Sequence, residues 1–384
     1  MDNVATGKLS IMHRQALPPA RNAPRRGWTA AGRRVMMRPR DSARLFLFFT
    51  FSFLRIVMFH AFFAVVPVFC IIALGVLLRA RDVLPENAGP VLGVYVLKLA
   101  LPLLIFHLLA GATPEDLARG GFWLAVIGSQ VIVYILGYAG DRLFCRRGAG
   151  PAVISGLSCS ACNAAFVGLP IVSNLWPGNS EAMLVAGLAI LTPNVVMIMA
   201  QTRLDILSGS LARKGVNPLV FAGNAARIFI LGNPILLATL AGGALSVSGL
   251  GLWEPLDRAI SLVGYTAAPC MLLALGLDLQ QKLAVATRRA QGAVLLRQIW
   301  FSLCKLVLHP LLCWGIMYAL GITGLWLTIG VLISATATAL LVSVLAQVYN
   351  AVPEEAALTA VVSNGLSILT LTGFVWLFQT LGMV

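Results

Sequence analysis

Ten long apolar segments dominate this sequence, and they restrict the chain to one kind of architecture. Each is about twenty residues long, which is the length an α-helix needs to cross a hydrocarbon core of about 30 Å. The segments are 59–78, 90–110, 122–140, 157–176, 182–201, 228–247, 259–279, 298–320, 323–347 and 357–381. Only 11% of the 384 residues are charged, whereas a soluble domain carries roughly a quarter. The sequence therefore predicts an all-α polytopic membrane protein.

Basic residues lie almost entirely in alternate connections between these segments. The connections that follow the first, third, fifth and seventh segments contain Arg79, Arg81, Arg142, Arg146, Arg147, Arg203, Arg213, Lys214, Arg227, Lys282, Arg288, Arg289 and Arg297. The other connections contain only Arg119 and Arg258. Because Lys and Arg are retained on the cytoplasmic side of a membrane, we expect the first set in the cytoplasm. With ten segments, both termini then face outward.

The first 57 residues conflict with that orientation. They hold 11 of the 28 Lys and Arg residues against two acids, a net charge of +9, in a Pro/Arg-rich leader expected to be disordered. Such a charge should stay in the cytoplasm. We favour a start at Met58, with the upstream part an over-called reading frame, and a processed leader is the alternative. An eleventh crossing through 45–57 is disfavoured, because the apolar run from Leu45 to Leu78 is too short for two crossings with a turn. Since the leader carries most of the basic excess, the composition does not indicate nucleic-acid binding.

Prolines recur at a fixed separation in the two halves of the chain. Pro67 and Pro234 are 167 residues apart, and so are Pro102 and Pro269. This offset indicates that segments one to five and six to ten are copies of one unit. Because five is odd, the second copy enters the membrane from the opposite side, as in the inverted repeats of many transporters. The predicted first repeat, cytoplasmic loop and second repeat are 58–201, 202–227 and 228–384.

The stretch from Ser158 to Val172 departs most from a plain apolar helix. It contains the amide Asn163 and the proline Pro170. Proline removes a backbone donor and clashes with the carbonyl four residues earlier, so we expect the helical ladder to be interrupted at Pro170. Residues 168–172 would then offer free N–H groups at the positive end of a half-helix, which suits a solute site at the bilayer midplane. A kinked helix packed through small residues is the alternative.

The offset of 167 residues places Ala337 opposite Pro170 in the second half of the chain. Ala337 lies in the stretch 334–340, which is small and hydroxyl-rich but has no proline. If the ninth segment is also broken there, we expect Thr336 and Thr338 to bond the freed carbonyl groups, as hydroxyl side chains can.

Motifs along the chain resemble, in order, those of one family of membrane carriers. Asn163-Ala-Ala-Phe-Val-Gly-Leu-Pro-Ile171 is similar to the Asn…Phe-x-Gly-x-Pro-Ile signature of the auxin efflux carrier family, which includes bacterial malonate-type permeases. Further matches are Leu101-Pro102, Gly232-Asn-Pro-Ile235, Ala268-Pro269, Ala274-Leu-Gly-Leu-Asp-Leu279, Lys305-Leu-Val-Leu-His-Pro310 and Leu345-Ala-Gln-Val-Tyr349. The resemblance covers about Met58 to the C-terminus.

This resemblance implies ten helices in two inverted five-helix repeats, with helices four and nine broken and crossing at the substrate site. It also implies a transport domain that moves against a scaffold domain. The chain departs from the family in helix nine, where Thr336-Ala-Thr-Ala339 and Leu341 stand in place of the usual Met-Pro-Thr-Ala and a following Asn. The usual substrate amide of that helix therefore has no counterpart here.

Candidate substrate-binding residues come from the two interrupted segments and from polar positions near them. They are Asn163, Gly168, Leu169, Pro170, Ile171, Asn194, Thr336, Ala337, Thr338 and Asn364. For Asn194 and Asn364, hydrogen bonding between helices is an equal alternative. Lys98 and Lys305 are candidates for anion-attracting charges on the inner vestibule, although a lysine at that depth can also snorkel.

Other chemistry-bearing residues give weaker predictions. His107 and His309 would be either proton relays or structural histidines. Asp278 is expected at the cytoplasmic end of the seventh segment. Cys159 and Cys162 form a CxxC pair, but no second Cys or His pair shares their segment, so neither a metal nor a cofactor is expected. The sequence does not identify a coupling ion, H⁺ or Na⁺.

The resemblance implies a secondary carrier for a small organic anion, such as a mono- or dicarboxylate, that works by alternating access in a bacterial inner membrane. A sensor or structural protein that keeps the fold without transporting is the alternative. An enzyme is disfavoured because no catalytic constellation is present. The expected partners are the carboxylate and the lipid bilayer, without nucleic acid. A homodimer is a further possibility that the sequence does not decide.

Overall fold

The fold is that of a computed structural model, which describes residues 62–63, 65–208, 234–287 and 292–384. Apart from one isolated β-bridge, these residues form helices and short connections without a strand, which confirms the all-α prediction. The leader at 1–57, with the start at Met58 and the crossing at 45–57, lies outside the described residues. So does most of the predicted loop at 202–227.

The helices follow the apolar segments closely. In chain order they are α1 (Val65–Ala80), α2 (Ala88–Ala110), α3 (Gly120–Phe144), α4 (Ala149–Ser160), α5 (Ala164–Leu175), α6 (Ser180–Leu207), α7 (Pro234–Ser248), α8 (Glu254–Gly264), α9 (Ala267–Thr287), α10 (Val294–Ala319), α11 (Gly324–Ser334), α12 (Leu341–Val348) and α13 (Pro353–Thr380).

Six helical stretches of the described chain are long and apolar enough to cross a membrane, with mean hydropathies between 1.6 and 2.1. They are Ala88–Ala110, Pro114–Phe144, Ser180–Leu207, Glu254–Asp278, Val294–Ala319 and Pro353–Thr380. Helices α1, α5, α7 and α11 are shorter apolar helices of 10–17 residues. The chain is therefore a multi-pass membrane protein.

Three helices contain a five-residue π turn that ends two residues before a proline. The turns and their prolines are Val96–Ala100 with Pro102, Ala164–Gly168 with Pro170, and Cys304–Leu308 with Pro310. A proline ring would clash with the carbonyl four residues earlier, and a wider turn before it relieves that clash. The chain thus remains helical through Pro170, and the predicted interruption at that residue is wrong.

One group of helices consists of α1, α2, α7, α8 and α9. Helix α2 packs against α7, α8 and α9. Helix α1 meets α9 through Gly75 and Gly276, and a Cβ at either glycine would overlap the backbone of the other helix. Small residues allow such close approach between membrane helices.

A second group consists of α3, α4, α6 and α10–α13. Helix α3 packs against α4 and α10, and α12 packs against α13. Helices α3 and α4 approach closely at two glycines: a Cβ on Gly137 would lie 2.7 Å from the sulfur of Cys159, and a Cβ on Gly156 would lie 2.8 Å from the ring of Tyr134. Helix α5 contacts α6 and α11 of this group and also α9 of the first. It therefore lies where the two groups meet.

Candidate functional site

The predicted fourth and ninth segments are both divided near their middle. Helix α4 ends at Ser160 and α5 begins at Ala164. Helix α11 ends at Ser334 and α12 begins at Leu341. The ninth segment is thus broken although it has no proline.

The two breaks hold each other through their backbones. The N–H of Asn163 donates to the carbonyl of Ala337 over 2.9 Å, and the N–H of Ala339 donates to the carbonyl of Ala161, also over 2.9 Å. The result is an antiparallel bridge between Cys162 and Thr338. Each break satisfies buried polar groups of the other, as backbone inside a membrane protein requires.

The fixed offset of 167 residues does not hold at this crossing. Helices α4 and α11 begin at Ala149 and Gly324, which are 175 residues apart. The second half is longer between its second and third segments, because α9 runs on to Thr287. Ala337 does lie in a break, but it is not the counterpart of Pro170.

The carbonyl ends of α4 and α11 are closed by side-chain donors. Lys305 Nζ donates to the carbonyl of Ser334 over 2.6 Å, at the last residue of α11. Thr336 Oγ1 donates to Ile333 over 2.7 Å, and Thr338 Oγ1 donates to the carbonyl of Ser158 over 2.8 Å. Both threonines therefore bond carbonyl groups freed by the breaks, as the sequence predicts.

The N–H end of α5 is left open. The carbonyl of Asn163 accepts from the N–H groups of Val167 and Gly168, at 3.1 and 3.3 Å. The three N–H groups between them, of residues 164–166, precede the first intrahelical bond and have no acceptor within the helix. Asn163 is 2% exposed, and its Nδ2 has no hydrogen-bond partner among the described residues. Several donors thus converge at one place.

A cavity of about 220 Å³ lies against these donors. Its wall includes Leu97, Leu101, Cys162, Asn163, Ala164, Ala165, Phe166, Asn194, Met271, Asp278, Ala339 and Leu341. The volume is below the range of about 300–1,000 Å³ for drug-sized ligands, so only a small solute fits. We call it the inner cavity, because it extends from the crossing toward the helix ends that carry the basic connections.

A second cavity, of about 230 Å³, lies further along α5, toward its C-terminal end, and is called the outer cavity. Its wall includes Pro67, Leu104, Leu169, Pro170, Ser173, Met183, Tyr265 and Leu272. Leu101 of α2 and Met271 of α9 line the inner cavity, and Leu104 and Leu272 of the same helices line the outer one. The two cavities therefore follow one another along α2, α5 and α9.

The candidate residues are distributed over both cavities and the crossing itself. Asn163 and Asn194 line the inner cavity, and Leu169 and Pro170 line the outer one. Asn194 donates its Nδ2 to the carbonyl of Leu191 over 3.1 Å. The remaining candidates are buried and line neither cavity: Gly168, Ile171, Thr336, Ala337, Thr338 and Asn364.

The ionisable candidates have different surroundings from those expected. Lys98 is exposed, Lys305 is fully buried, and neither is among the residues that line the two cavities. His107 Nδ1 lies 2.6 Å from Asp257 Oδ1, and His309 Nδ1 lies 3.2 Å from Lys305 Nζ. The anion-attracting role of the two lysines stays a prediction.

Two polar side chains at the crossing were not singled out from the sequence. Gln130 Nε2 donates to Thr192 Oγ1 over 2.8 Å and lies 3.7 Å from the sulfur of Cys162. Ser363 Oγ accepts from the N–H of Thr338 at 3.1 Å. A lone amide within the apolar segment 122–140 was the available signal for Gln130.

A buried ion network closes the basic end of the second group. Arg147 Nε donates to Asp141 over 2.8 Å, and its Nη1 donates to Glu355 over 2.8 Å. Arg297 also bonds Glu355, at 2.6 Å. Burial acts to lower the pKa of Arg147, but its hydrogen bond to Asp141 and the charge of Glu355 outweigh that effect and leave the pKa above its usual value. The network ties α3, α10 and α13 together.

Comparison with known proteins agrees with this architecture. Residues 60–214 and 220–375 match a family described as "Membrane transport protein". A protein of Rhizobium meliloti (strain 1021) named "Putative malonate transporter" is 30% identical over 321 residues, which are 82% of this chain and 95% of that protein. The matched stretches cover most of the chain and include both breaks, the inner cavity and the ion network. The chain belongs to the membrane transport proteins of the auxin efflux carrier family.

Proposed function

We propose that this protein is a secondary transporter that moves a small organic anion, a mono- or dicarboxylate, by alternating access. The observation that carries the proposal is the buried Nδ2 of Asn163, which has no partner among the described residues and lies beside the open N–H end of α5. A helix N-terminus carries a partial positive charge and free donors, which suit a carboxylate.

The chemistry of the inner cavity supports an anion. Its amide and N–H donors can each bond a carboxylate oxygen, and hydrogen bonds to a charged group are stronger than neutral ones. Its remaining wall is mostly apolar, so the few polar groups would fix the orientation of the solute. The name of the Rhizobium meliloti relative contains malonate, a dicarboxylate, which favours the same class.

Two cavities that follow one another along α5 support alternating access. In this proposal the inner and outer cavities are the two routes to one site beside Asn163. A small movement of α5 and the second helix group against α2 and α9 would open one route and close the other. The second group would be the transport domain and the first group the scaffold, within ten crossings arranged as two inverted five-helix repeats over 58–201 and 228–384.

The orientation proposed is the one that the basic connections favour. The helix ends that carry Arg79, Arg142 and Arg203 would face the cytoplasm, and the inner cavity would open toward it. The membrane would be a bacterial inner membrane, with the C-terminus outside.

The alternative of a sensor without transport rested on the missing proline of the ninth segment. That segment is broken without a proline. The backbone bridge to residues 161–163 stabilises the break, and Lys305 and Thr336 donate to the carbonyl groups of Ser334 and Ile333. The alternative therefore loses its support, and a carrier is the simpler reading of the site.

Flux through liposomes containing the purified protein tests the proposal. Labelled malonate, succinate and acetate are offered on one side, and counterflow is measured with unlabelled solute trapped inside. The expected result is saturable uptake of at least one carboxylate, which its unlabelled form accelerates from the other side. Binding without counterflow would favour the sensor, and neither binding nor flux with any carboxylate would contradict the substrate class.

A further inference from the structure

Lys305 is a buried cation next to the crossing. It belongs to the π turn of α10, and none of its side chain is exposed. Its Nζ lies 2.6 Å from the carbonyl of Ser334, 3.2 Å from His309 Nδ1 and 3.5 Å from the sulfur of Cys162. An ammonium group has three N–H donors, and these three partners use all of them.

None of these three partners is a carboxylate, which distinguishes Lys305 from other inward-lying cations of the described chain. Arg147 pairs with Asp141 and Glu355, and Arg297 pairs with Glu355. A buried charge is normally balanced by an opposite one, because leaving it unbalanced is costly. The carbonyl end of α11 supplies only about half a negative charge. When Lys305 is protonated, a positive charge therefore remains in excess there.

The excess charge lies one side chain away from the inner cavity. Cys162 contacts Lys305 Nζ through its sulfur and also lines the cavity beside Asn163. Inside a protein a charge acts over longer distances than in water, because the effective dielectric constant is lower. An anion bound at Asn163 would therefore feel the charge of Lys305 without touching it.

An acidic residue of the same cavity lies at its far end. Asp278 lines the cavity wall and packs against Gly89, near the start of α2. Leu101, which also lines the cavity, is twelve residues further along α2, a rise of about 18 Å along the helix axis. Asp278 thus marks the rim of the cavity rather than the crossing.

We propose that Lys305 selects the charge of the solute: its ammonium group, behind Cys162, is the positive charge that a bound carboxylate balances. The inference rests on the proposed function and adds a residue that acts from behind the cavity wall. The solute should then be an anion, and the neutral amide of the same shape should be excluded. Lys305 is a positioning charge rather than a ligand.

The test compares malonate with malonamide, its neutral diamide, as competitors for binding to the full-length protein in detergent. For the unaltered protein we expect malonate to bind at least tenfold more tightly. In Lys305→Met this preference should fall to about twofold or less, because the charge is lost while the length of the side chain is kept. Arg258→Met is the control, since it removes an exposed cation that lines neither cavity and should keep the preference.

A purely structural role would weaken both compounds equally or neither, so an unchanged preference in folded Lys305→Met overturns the inference. If that variant does not fold, Lys305→Ala is prepared with methylammonium, which can occupy the vacated position as a free cation. Recovery of the malonate preference with methylammonium, and not with sodium, is expected; no recovery overturns the inference. Unaltered protein that binds no carboxylate would instead contradict the proposed function.

Discussion

The backbone N–H of Asn163 bonds the carbonyl of Ala337, and this contact joins two chain segments that are far apart in sequence. Through this bond, a backbone N–H group at the break between α4 and α5 is satisfied by a carbonyl group in the break between α11 and α12. The same residue lines the inner cavity, and its Nδ2 has no hydrogen-bond partner among the described residues. Asn163 contributes its backbone to the crossing, and in the proposed function its side chain bonds the solute, so a mutation can separate the two.

Asn163→Ala should weaken binding of the solute without destabilising the protein. The substitution keeps the backbone bond to Ala337, and the lost Nδ2 has no partner among the described residues. A hydrogen bond to a charged group contributes about 1.5–3 kcal/mol, so we expect affinity to fall about tenfold or more. The measurement is the rise of melting temperature with malonate concentration.

Asn179→Ala is the matched control for that prediction. Asn179 caps α6 by accepting from the N–H of Ala182 at 2.9 Å and lines neither cavity. Losing a helix cap costs about 1 kcal/mol, so stability should fall while affinity stays the same. Unchanged protection by malonate in Asn163→Ala would rule out the amide as a ligand.

Ala337→Pro should be tolerated, whereas Ala339→Pro should not. Ala337 lies in the break between α11 and α12 and takes part in the bridge through its carbonyl, which proline keeps. Ala339 donates its N–H to Ala161, and proline has none to donate. The buried carbonyl of Ala161 would be left unpaired at a cost of about 1–3 kcal/mol. Equal melting temperatures for the two variants would contradict the bridge.

Hydropathy and charge predicted most of the helices of this chain, but not where they break. The sequence places a proline at position 170, and a local rule predicts an interruption there. In the structure a π turn that ends at Gly168 accommodates that proline, and the break lies at residues 161–163 instead. Its position depends on backbone bonds to residues 337 and 339, which no local pattern contains.

The surroundings of Lys305 could not be predicted from the sequence either, for a related reason. Its depth in the eighth apolar segment is visible from the segment boundaries, and a lysine at that depth was expected near a vestibule. The side chain of Lys305 points to the carbonyl of Ser334, and this carbonyl is available only because α11 ends there. Lys98 lies in a comparable π turn of α2 and is exposed, so the local sequence alone does not distinguish the two.

Thr338→Val should destabilise the protein through the end of α4. The hydroxyl of Thr338 donates to the buried carbonyl of Ser158, and valine has the same shape without the donor. An unpaired buried carbonyl costs about 1–3 kcal/mol. Thr372→Val is the control: its hydroxyl bonds Ile368 within the unbroken helix α13, where the backbone already supplies a donor, so about 0.5 kcal/mol or less is expected. Thermal unfolding in detergent compares the pair.

Ionisation of Tyr349 should make the protein less stable at alkaline pH. Burial, then the hydrogen bond to Asp205 at 2.8 Å, raise the pKa of Tyr349 to about 12 from 10.0. Since the folded protein holds this proton more tightly than the unfolded chain, the contribution of Tyr349 is complete below pH 10 and is lost as the pH rises toward 12. The difference in melting temperature between the unaltered protein and Tyr349→Phe should therefore shrink over that range. A constant difference would contradict the bond to Asp205.

Arg147→Met should be the most destabilising of these changes. It leaves Asp141, none of whose side chain is exposed, without its guanidinium partner, and it removes one of the two arginines that bond Glu355. Removing one member of a buried pair costs about 3–5 kcal/mol, because the remaining charge stays buried. Arg258→Met is the control, since Arg258 and Glu254 are both about three-quarters exposed, and an exposed pair contributes about 0–1 kcal/mol. Adding Asp141→Asn to Arg147→Met should recover part of the loss, because the uncompensated carboxylate is then neutral. If the double variant is no more stable than Arg147→Met, the cost arises from lost packing of the arginine and not from the buried charge.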